Sequence, residues 1–436
     1  MLGFFAADAT ARRGEETGPP GGQIDLKRSF PYIRFTMNWE ELAKELSQVT
    51  DSKIVLMVVD GLGGLPINGQ TELETARHPN LDKLASEAVC GLTDPIYPGV
   101  TPGSGPAHLS LFGYDPLRRR LGRGILEALG SGVEVGSQDL VARGNFATIK
   151  DGLIVDRRAG RIPTSETERL CVKINKELRQ RPGRKVSLFP GKEHRFVFKV
   201  SGEGLADALT DADPQKEGKP PVPVKPLTPD SKRAAEAVND FVTDVTALLK
   251  DEAKANTVLM RGFSKFPTIP TMGELFKLKP AAIANYPMYK GLAKLVGMDV
   301  QSVGSETAAL FSTLEGRFKD FDFFFIHFKS TDSAGEDGNF EAKVKAIEEF
   351  DAFVPRLTAL KPDVLVVTSD HSTPALLKGH SWHPNPFLLA AKSALPDAVT
   401  RFTERECARG GLGRFPALQA MSLMLAHAGK LKKYGA

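Results

Sequence analysis

Three stretches of the chain are apolar without interruption and end in acidic or glycine-rich turns. "KIVLMVVDGLGG", from Lys53, is apolar from Ile54 to Val59 and breaks at Asp60. "DFDFFFIHFKSTDSAG" from Asp320 and "KPDVLVVTSDHSTP" from Lys361 repeat the pattern. A run with no polar face suits a strand covered on both sides, the usual state of a parallel sheet. Between the second and third runs, "NFEAKVKAIEEFDAFVPRL" spaces Val344, Ile347 and Phe350 as one face of a helix. Strand, helix and strand of these lengths predict a βαβ unit. "HPNLDKLASEAVC" predicts another helix, with Leu81, Leu84, Ala85 and Ala88 on one side.

The middle of the chain is patterned differently. It is richer in Gly, Arg and Pro, with short strand-like pieces such as "HRFVFKV". "DADPQKEGKPPVPVKPLTPDSK" reads as a loop and "KRAAEAVNDFVTDVTALLKDEAK" as a helix. The expectation is an α/β fold with a mostly parallel sheet flanked by helices, holding an inserted smaller α/β domain. Residues 51–119 plus 266–436 would form the larger, catalytic domain and residues 120–265 the insert. Residues 1–50 read as an N-terminal extension, partly flexible, with Met37 as an alternative start.

Composition narrows the partners. The 436 residues exceed one ordinary core, which agrees with two domains. A net charge of +4 implies no nucleic-acid partner, and no apolar stretch reaches the roughly 20 residues that span a membrane. The three cysteines, Cys90, Cys171 and Cys407, are scattered, which suggests a reducing, cytoplasmic setting. Composition suits a monomer or a small homo-oligomer.

The strand ends carry the candidate chemistry. The first run ends at Asp60. The second leads to Asp332 and Glu336, and the third to Asp370 and His371, with His380 following in "KGHSWHP". Ligand sites of open parallel sheets lie beyond the carboxyl ends of the strands. Several carboxylates gathered there repel one another unless a cation sits among them, and carboxylate with imidazole suits a divalent metal. "GVTPGSGPAHLSLFGYDP", from Gly99, places Ser104 between two glycines at the entry to a helix-like run. A serine hydroxyl becomes a competent nucleophile when a divalent ion lowers its pKa, and a helix start favours a phosphate. Read alone, Ser104 serves equally well as a helix cap.

Longer segments carry a resemblance. "VVDGLGG", the whole stretch from His78 to Pro116, "GNFATIKDGLIVDRRAGRI", "RGFSKFPTIPTMGEL", "TDSAGEDGNFEAKVKAIEEFD" and "SDHSTPALLKGHSWHPNPFLL" resemble the archaeal-type cofactor-independent phosphoglycerate mutases of the alkaline phosphatase superfamily. The resemblance runs in order from about residue 51 to the C-terminus. It implies interconversion of 3-phosphoglycerate and 2-phosphoglycerate, a small phosphorylated metabolite, through a phosphoserine. It implies two divalent ions, manganese first and zinc, cobalt or magnesium as alternatives, and no 2,3-bisphosphoglycerate. Ser104 matches the nucleophile. Asp60, Ser104, Asp370 and His371 match one metal site, and Asp332, Glu336 and His380 the other. Lys290 in "YKG" matches a lysine near the transferred phosphate, and Arg261 in "RGF" a substrate arginine. Arg143, Arg157 and Arg161 are further substrate partners. Asp151 and Asp156 are candidates for moving the glycerate proton.

Two departures stand out. The family pattern has His at the position of Glu336, and an acidic residue where Gly105 follows the serine. They leave open a metal-dependent phosphomonoesterase or a homoserine-kinase-like paralogue, and, from another class, a catalytically silent binding protein.

Overall fold

A computed structural model describes residues 38–119 and 121–435. The flexible part of the expected extension, residues 1–36, and the alternative start at Met37 lie outside the described residues. Residues 39–435 pack as one compact unit built on two sheets.

The larger sheet has the strand order β13-β2-β12-β11-β1-β10-β8-β9. Its strands are β1 (Ile54–Val59), β2 (Val89–Asp94), β8 (Pro280–Ile283), β9 (Asp299–Val300), β10 (Phe323–Phe328), β11 (Val364–Thr368), β12 (Asn385–Ala391) and β13 (Gly413–Pro416). From β11 to β9 every pairing is parallel, and β12 runs against both of its neighbours. The three apolar runs of the sequence are β1, β10 and β11, side by side at the centre of this sheet. In β1, Ile54, Leu56 and Val58 enter one apolar core, and Val55, Met57 and Val59 the core on the opposite face. That is why the run shows no alternation. Each such fully buried side chain contributes about 1.5–3 kcal/mol.

The second sheet comes wholly from the middle of the chain and is antiparallel. Its strands are β3 (Asp139–Lys150), β4 (Leu153–Asp156), β5 (Arg184–Pro190), β6 (Arg195–Gly202) and β7 (Thr257–Lys265). The order is β4-β3-β6-β5, and β7 also pairs with β3. Helices Thr164–Glu177 and Lys232–Leu248 close its core through Leu170, Ile174, Val238, Phe241 and Val245. Among the described residues no helix is long and apolar enough to cross a membrane. Cys90, Cys171 and Cys407 are all free and buried.

Candidate active site: an acidic centre and an arginine cavity

Parallel strands β11, β1 and β10 deliver their next residues to one edge. Asp60 follows β1 directly, and its amide donates to Phe328 O of β10 at 2.9 Å. Asp370 and His371 follow β11, and Asp332 lies on the short helix Ser330–Glu336 after β10. Asp60, Asp332, Asp370 and His371 are all 0–1% exposed. Gly61 makes this approach possible. Its φ is +64°, and a Cβ there would lie 2.8 Å from Asp332 Cα.

Ser104 opens the helix Ser104–Leu111 with Gly103 as its N-cap. Its Oγ lies 3.1 Å from His371 Nε2. Pro106 sits in the first turn, where no amide proton is required. His108, one turn on, donates from Nδ1 to Ser104 O at 2.9 Å and lies 3.2 Å from Asp370 Oδ2.

His371 has one nitrogen engaged and one offered. Thr373 Oγ1 donates to Asp332 Oδ1 at 2.6 Å, so it accepts from His371 Nδ1 at 3.0 Å. The lone pair of Nε2 then faces Ser104 Oγ, Asp60 Oδ1 at 3.3 Å and Asp370 Oδ2 at 3.1 Å. Asp60, Asp370 and His371 bring one ligand atom each within 4.8 Å of one another, as do Asp332, His371 and His380. His371 belongs to both groups. Glu336 lies beside the second, with Oε1 3.7 Å from His380 Nε2, itself 3.7 Å from Asp332 Oδ1. Asp60 Oδ1 and Asp370 Oδ2 are buried without a hydrogen-bond partner. Two orphaned carboxylate oxygens beside an imidazole lone pair fit a divalent cation.

The charges in this centre push one another apart. Burial alone would raise Asp60, but the hydrogen bond from His327 and the charges of His371, His327 and Lys329 hold it well below the usual carboxylate range. Burial and the Asp60 charge push Asp370 up to about 7, and burial pulls His371 down to about 4. His380 goes the other way: despite burial, its ion pair with Glu336, its hydrogen bond to Pro102 O and the nearby carboxylates lift it to about 9. The ion pair with His380 in turn lowers Glu336. Lys329 bridges the two ligand groups, 3.0 Å from Asp60 Oδ2 and 2.5 Å from Asp332 Oδ2. Tyr289 donates to Asp60 Oδ2 at 2.5 Å, and His327 stacks on its ring at 3.6 Å.

The antiparallel sheet builds a site of opposite sign. A cavity of about 230 Å³ is lined by Arg143, Asn145, Arg157, Arg158, Arg161, Glu193, His194, Arg195 and Arg261. Every lining residue is polar, and all four arginines expected to bind substrate are there. The register sets Arg143 opposite Arg261 on β7 and Asn145 opposite Arg195 on β6. Like charges directly opposite one another destabilise a sheet. Arg157 is held as a bidentate pair by Asp213, at 3.0 and 2.6 Å. Arg195 Nε is buried with no acceptor, and Arg261 Nε makes no hydrogen bond but lies 3.6 Å from Asp211 and 3.8 Å from Asp213. Guanidinium groups with donors to spare in a polar hollow suit carboxylate or phosphate.

The sequence profile of the 2,3-bisphosphoglycerate-independent phosphoglycerate mutase family matches residues 85–254. A Thermotoga maritima protein named "Probable 2,3-bisphosphoglycerate-independent phosphoglycerate mutase" is 52% identical over 397 residues, 91% of this chain and 99% of that one. A Thermus thermophilus protein of the same name is 53% identical over 399 residues, 90% of this chain and 98% of that one. The chain belongs to the 2,3-bisphosphoglycerate-independent phosphoglycerate mutase family. Solved structures agree. The cofactor-independent phosphoglycerate mutase of Thermoplasma acidophilum superposes with a TM-score of 0.71 at 32% identity, covering 87% of this chain and all of that one. The PH0037 protein of Pyrococcus horikoshii gives 0.74 at 32% identity, covering 89% and 100%.

Against this mutase fold the expected residues sort themselves. Asp60, Ser104, Asp332, Glu336, Asp370, His371 and His380 converge at the sheet edge. Lys290 lines a different cavity, of about 920 Å³, with Leu129, Val133, Lys199 and Lys294, and none of the residues lining it belongs to the acidic centre. The lysine at the centre is Lys329. Its signal was present in "HFKSTD", three residues before Asp332, but a lysine after a strand reads as solvated surface. Tyr289, His327 and Thr373 were missed as well. Asp156 accepts from the amides of Arg158 and Gly160 at 2.7 and 2.6 Å, so both of its oxygens shape the arginine loop. Asp151 sits in the adjacent turn at φ +49°.

Proposed function

We propose that this enzyme interconverts 3-phosphoglycerate and 2-phosphoglycerate through a phosphoserine at Ser104, without 2,3-bisphosphoglycerate. The observation that carries the reading is the Ser104 hydroxyl at 3.1 Å from His371 Nε2, within a buried set of metal-type ligands. Family membership and the arginine cavity support it.

Two divalent ions, manganese first, would be held by Asp60, Ser104, Asp370 and His371 and by Asp332, Glu336 and His380. Bound there, they would lower the serine pKa and offset charge on the phosphoryl oxygens. Ser104 Oγ forms the bond to phosphorus as the glycerate oxygen leaves. The glycerate turns, and its other hydroxyl takes the phosphoryl back. Arg143, Arg157, Arg161 and Arg261, with Arg158 and Arg195, hold the carboxylate and hydroxyls through that turn. Lys329, beside the carboxylates, is placed to follow charge as it develops on the phosphoryl group. Water must be kept out while the phosphoserine persists. The Glu336 carboxylate in place of an imidazole favours manganese or magnesium over zinc.

The test is an enolase-coupled assay with 3-phosphoglycerate and Mn²⁺ and no added bisphosphoglycerate. Turnover that disappears in Ser104→Ala is expected. Release of inorganic phosphate exceeding formation of 2-phosphoglycerate would replace the mutase with a phosphomonoesterase.

A further inference from the structure

Lys343 is a fully buried lysine on the helix that follows the one carrying Asp332 and Glu336. It lies on the helix Phe340–Asp351, among the buried apolar residues Val344, Ala346, Ile347 and Phe350, with buried Asp351 at the helix's end. Its side chain is 0% exposed. Burying an ammonium is costly, and a well-packed apolar residue there would usually be neutral or better for stability. What the ammonium gains is specific. It donates to Gly63 O and to Thr373 O, both at 2.9 Å. Gly63 lies three residues after Asp60 and Thr373 two after His371, so one cation joins the two loops that carry the first ligand group.

The same region is tied at several further points. Thr373 N donates to Gly63 O at 3.1 Å, and Leu62 bridges to Ser372. Glu72, also buried, pairs with Lys343 at 3.8 Å and accepts from Ala375 N at 2.7 Å. Glu404, which with Asp332 also acts on the ammonium, accepts from Gly64 N at 2.9 Å. The Gly335 backbone leaves no slack, since a Cβ there would lie 2.2 Å from Thr373 O. Through its carbonyl, Thr373 is fixed by Lys343. Through its hydroxyl, it joins His371 Nδ1 to Asp332 Oδ1.

We propose that Lys343 is a positioning residue: its buried ammonium sets the spacing of the two ligand-bearing loops and, through Thr373, the orientation of His371. This rests on the metal reading given above. Its effect falls on metal affinity and on kcat more than on the KM for phosphoglycerate, because the arginine cavity is built from other strands.

A second buried lysine provides the control. Lys430 is 0% exposed, donates to Thr50 O at 2.8 Å and pairs with Asp322 at 3.3 Å, away from both loops. Mn²⁺ affinity of the metal-stripped full-length protein is measured by electron paramagnetic resonance, well below the melting temperature, for wild type, Lys343→Met and Lys430→Met. Lys343→Met should bind Mn²⁺ about 10- to 100-fold more weakly, the usual range for loss of a residue that orients ligands. Lys430→Met should lower the melting temperature and leave Mn²⁺ affinity unchanged. Wild-type affinity in Lys343→Met, or an equal loss in Lys430→Met, overturns the proposal. Should Lys343→Met not fold, Lys343→Gln, which keeps one donor for one of the two carbonyls, is read the same way. If the wild type takes up no Mn²⁺, the metal reading falls and this inference with it. Wild-type binding with indifferent Lys343 variants sinks this inference alone.

Discussion

The acidic centre and the arginine cavity solve the same problem, concentrating like charge, in opposite ways. The centre at the ends of β11, β1 and β10 neutralises itself in part: Lys329 lies between Asp60 and Asp332, and Tyr289 and His327 donate to Asp60 Oδ2, while Asp60 Oδ1 and Asp370 Oδ2 stay without a donor. The cavity on the antiparallel sheet leaves Arg195 Nε without an acceptor and sets Arg143 against Arg261 across the ladder, with Asp211 and Asp213 offsetting Arg261 only at 3.6 and 3.8 Å. In the metal-free protein the first changes protonation between about pH 7 and 9, where Asp370 and His380 titrate. The second changes little there, because its guanidinium groups stay charged and burial and the nearby arginines hold its imidazole, His194, below the usual histidine range. On the proposed function one region reacts and the other holds, and the two can be attacked separately.

The hardest blow to the comparison is Ser104→Ala. Turnover should fall at least ~1,000-fold, the scale seen when a nucleophile is removed. Binding of 3-phosphoglycerate by calorimetry should survive, because the arginines are untouched. If binding is lost together with turnover, the two regions are not separable. Arg261→Lys attacks the other side. It removes a bidentate donor worth roughly 1.5–3 kcal/mol, so kcat/KM should drop about 10- to 150-fold, mostly through KM. Mn²⁺ affinity should not move, and a parallel loss of metal would show that Arg261 serves the centre.

A pH series sharpens the contrast. In the metal-free protein His380 is protonated below about 9 and must shed its proton to act as a ligand. Mn²⁺ affinity should therefore rise with pH, by about tenfold per unit for each proton displaced, and level off above about 9. Competitive binding of a fully ionised carboxylate to the arginine cavity should stay flat from about pH 6 to 9. A flat metal profile would exclude His380 from the ligand set. The smallest effect is expected from Glu336→His: a several-fold shift of the Zn²⁺ to Mn²⁺ affinity ratio toward zinc, with turnover retained. An unchanged ratio would mean that Glu336 binds no metal.

The two regions also differ in how readable they were. The acidic centre follows from local pattern, because a continuous apolar run predicts a parallel strand and the few residues after it are delivered to the sheet edge. Asp60, Asp332, Asp370 and His371 are metal-ligand types within four residues of a strand end and needed nothing more. Lys329 needed a distance, since only contact with both carboxylates distinguishes it from a surface lysine. The Lys290 expectation shows the limit of a short motif. Adjacent residues on a helix point about 100° apart, so Tyr289 reaches Asp60 while Lys290 faces another cavity. The arginine cavity depends on the register between β3, β6 and β7, strands far apart in the chain. Periodicity does not encode such a register. Resemblance supplied Arg261, and Arg157 and Arg161 came from one dense cluster, "DRRAGR".

The face-to-face pair Arg143 and Arg261 has one more consequence. Glu127 offsets Arg143 at 3.6 Å and Asp211 and Asp213 offset Arg261, yet the arginines lining the cavity still outnumber the carboxylates beside them, so an anion that settles among them should raise the melting temperature. Phosphate, sulfate and small dicarboxylates become ballast that the folded chain carries and the unfolded chain does not. A melting-point screen over simple buffers would then sort anions by fit, and the buffer that best preserves the protein in storage would be the one closest in shape to what it holds when it works.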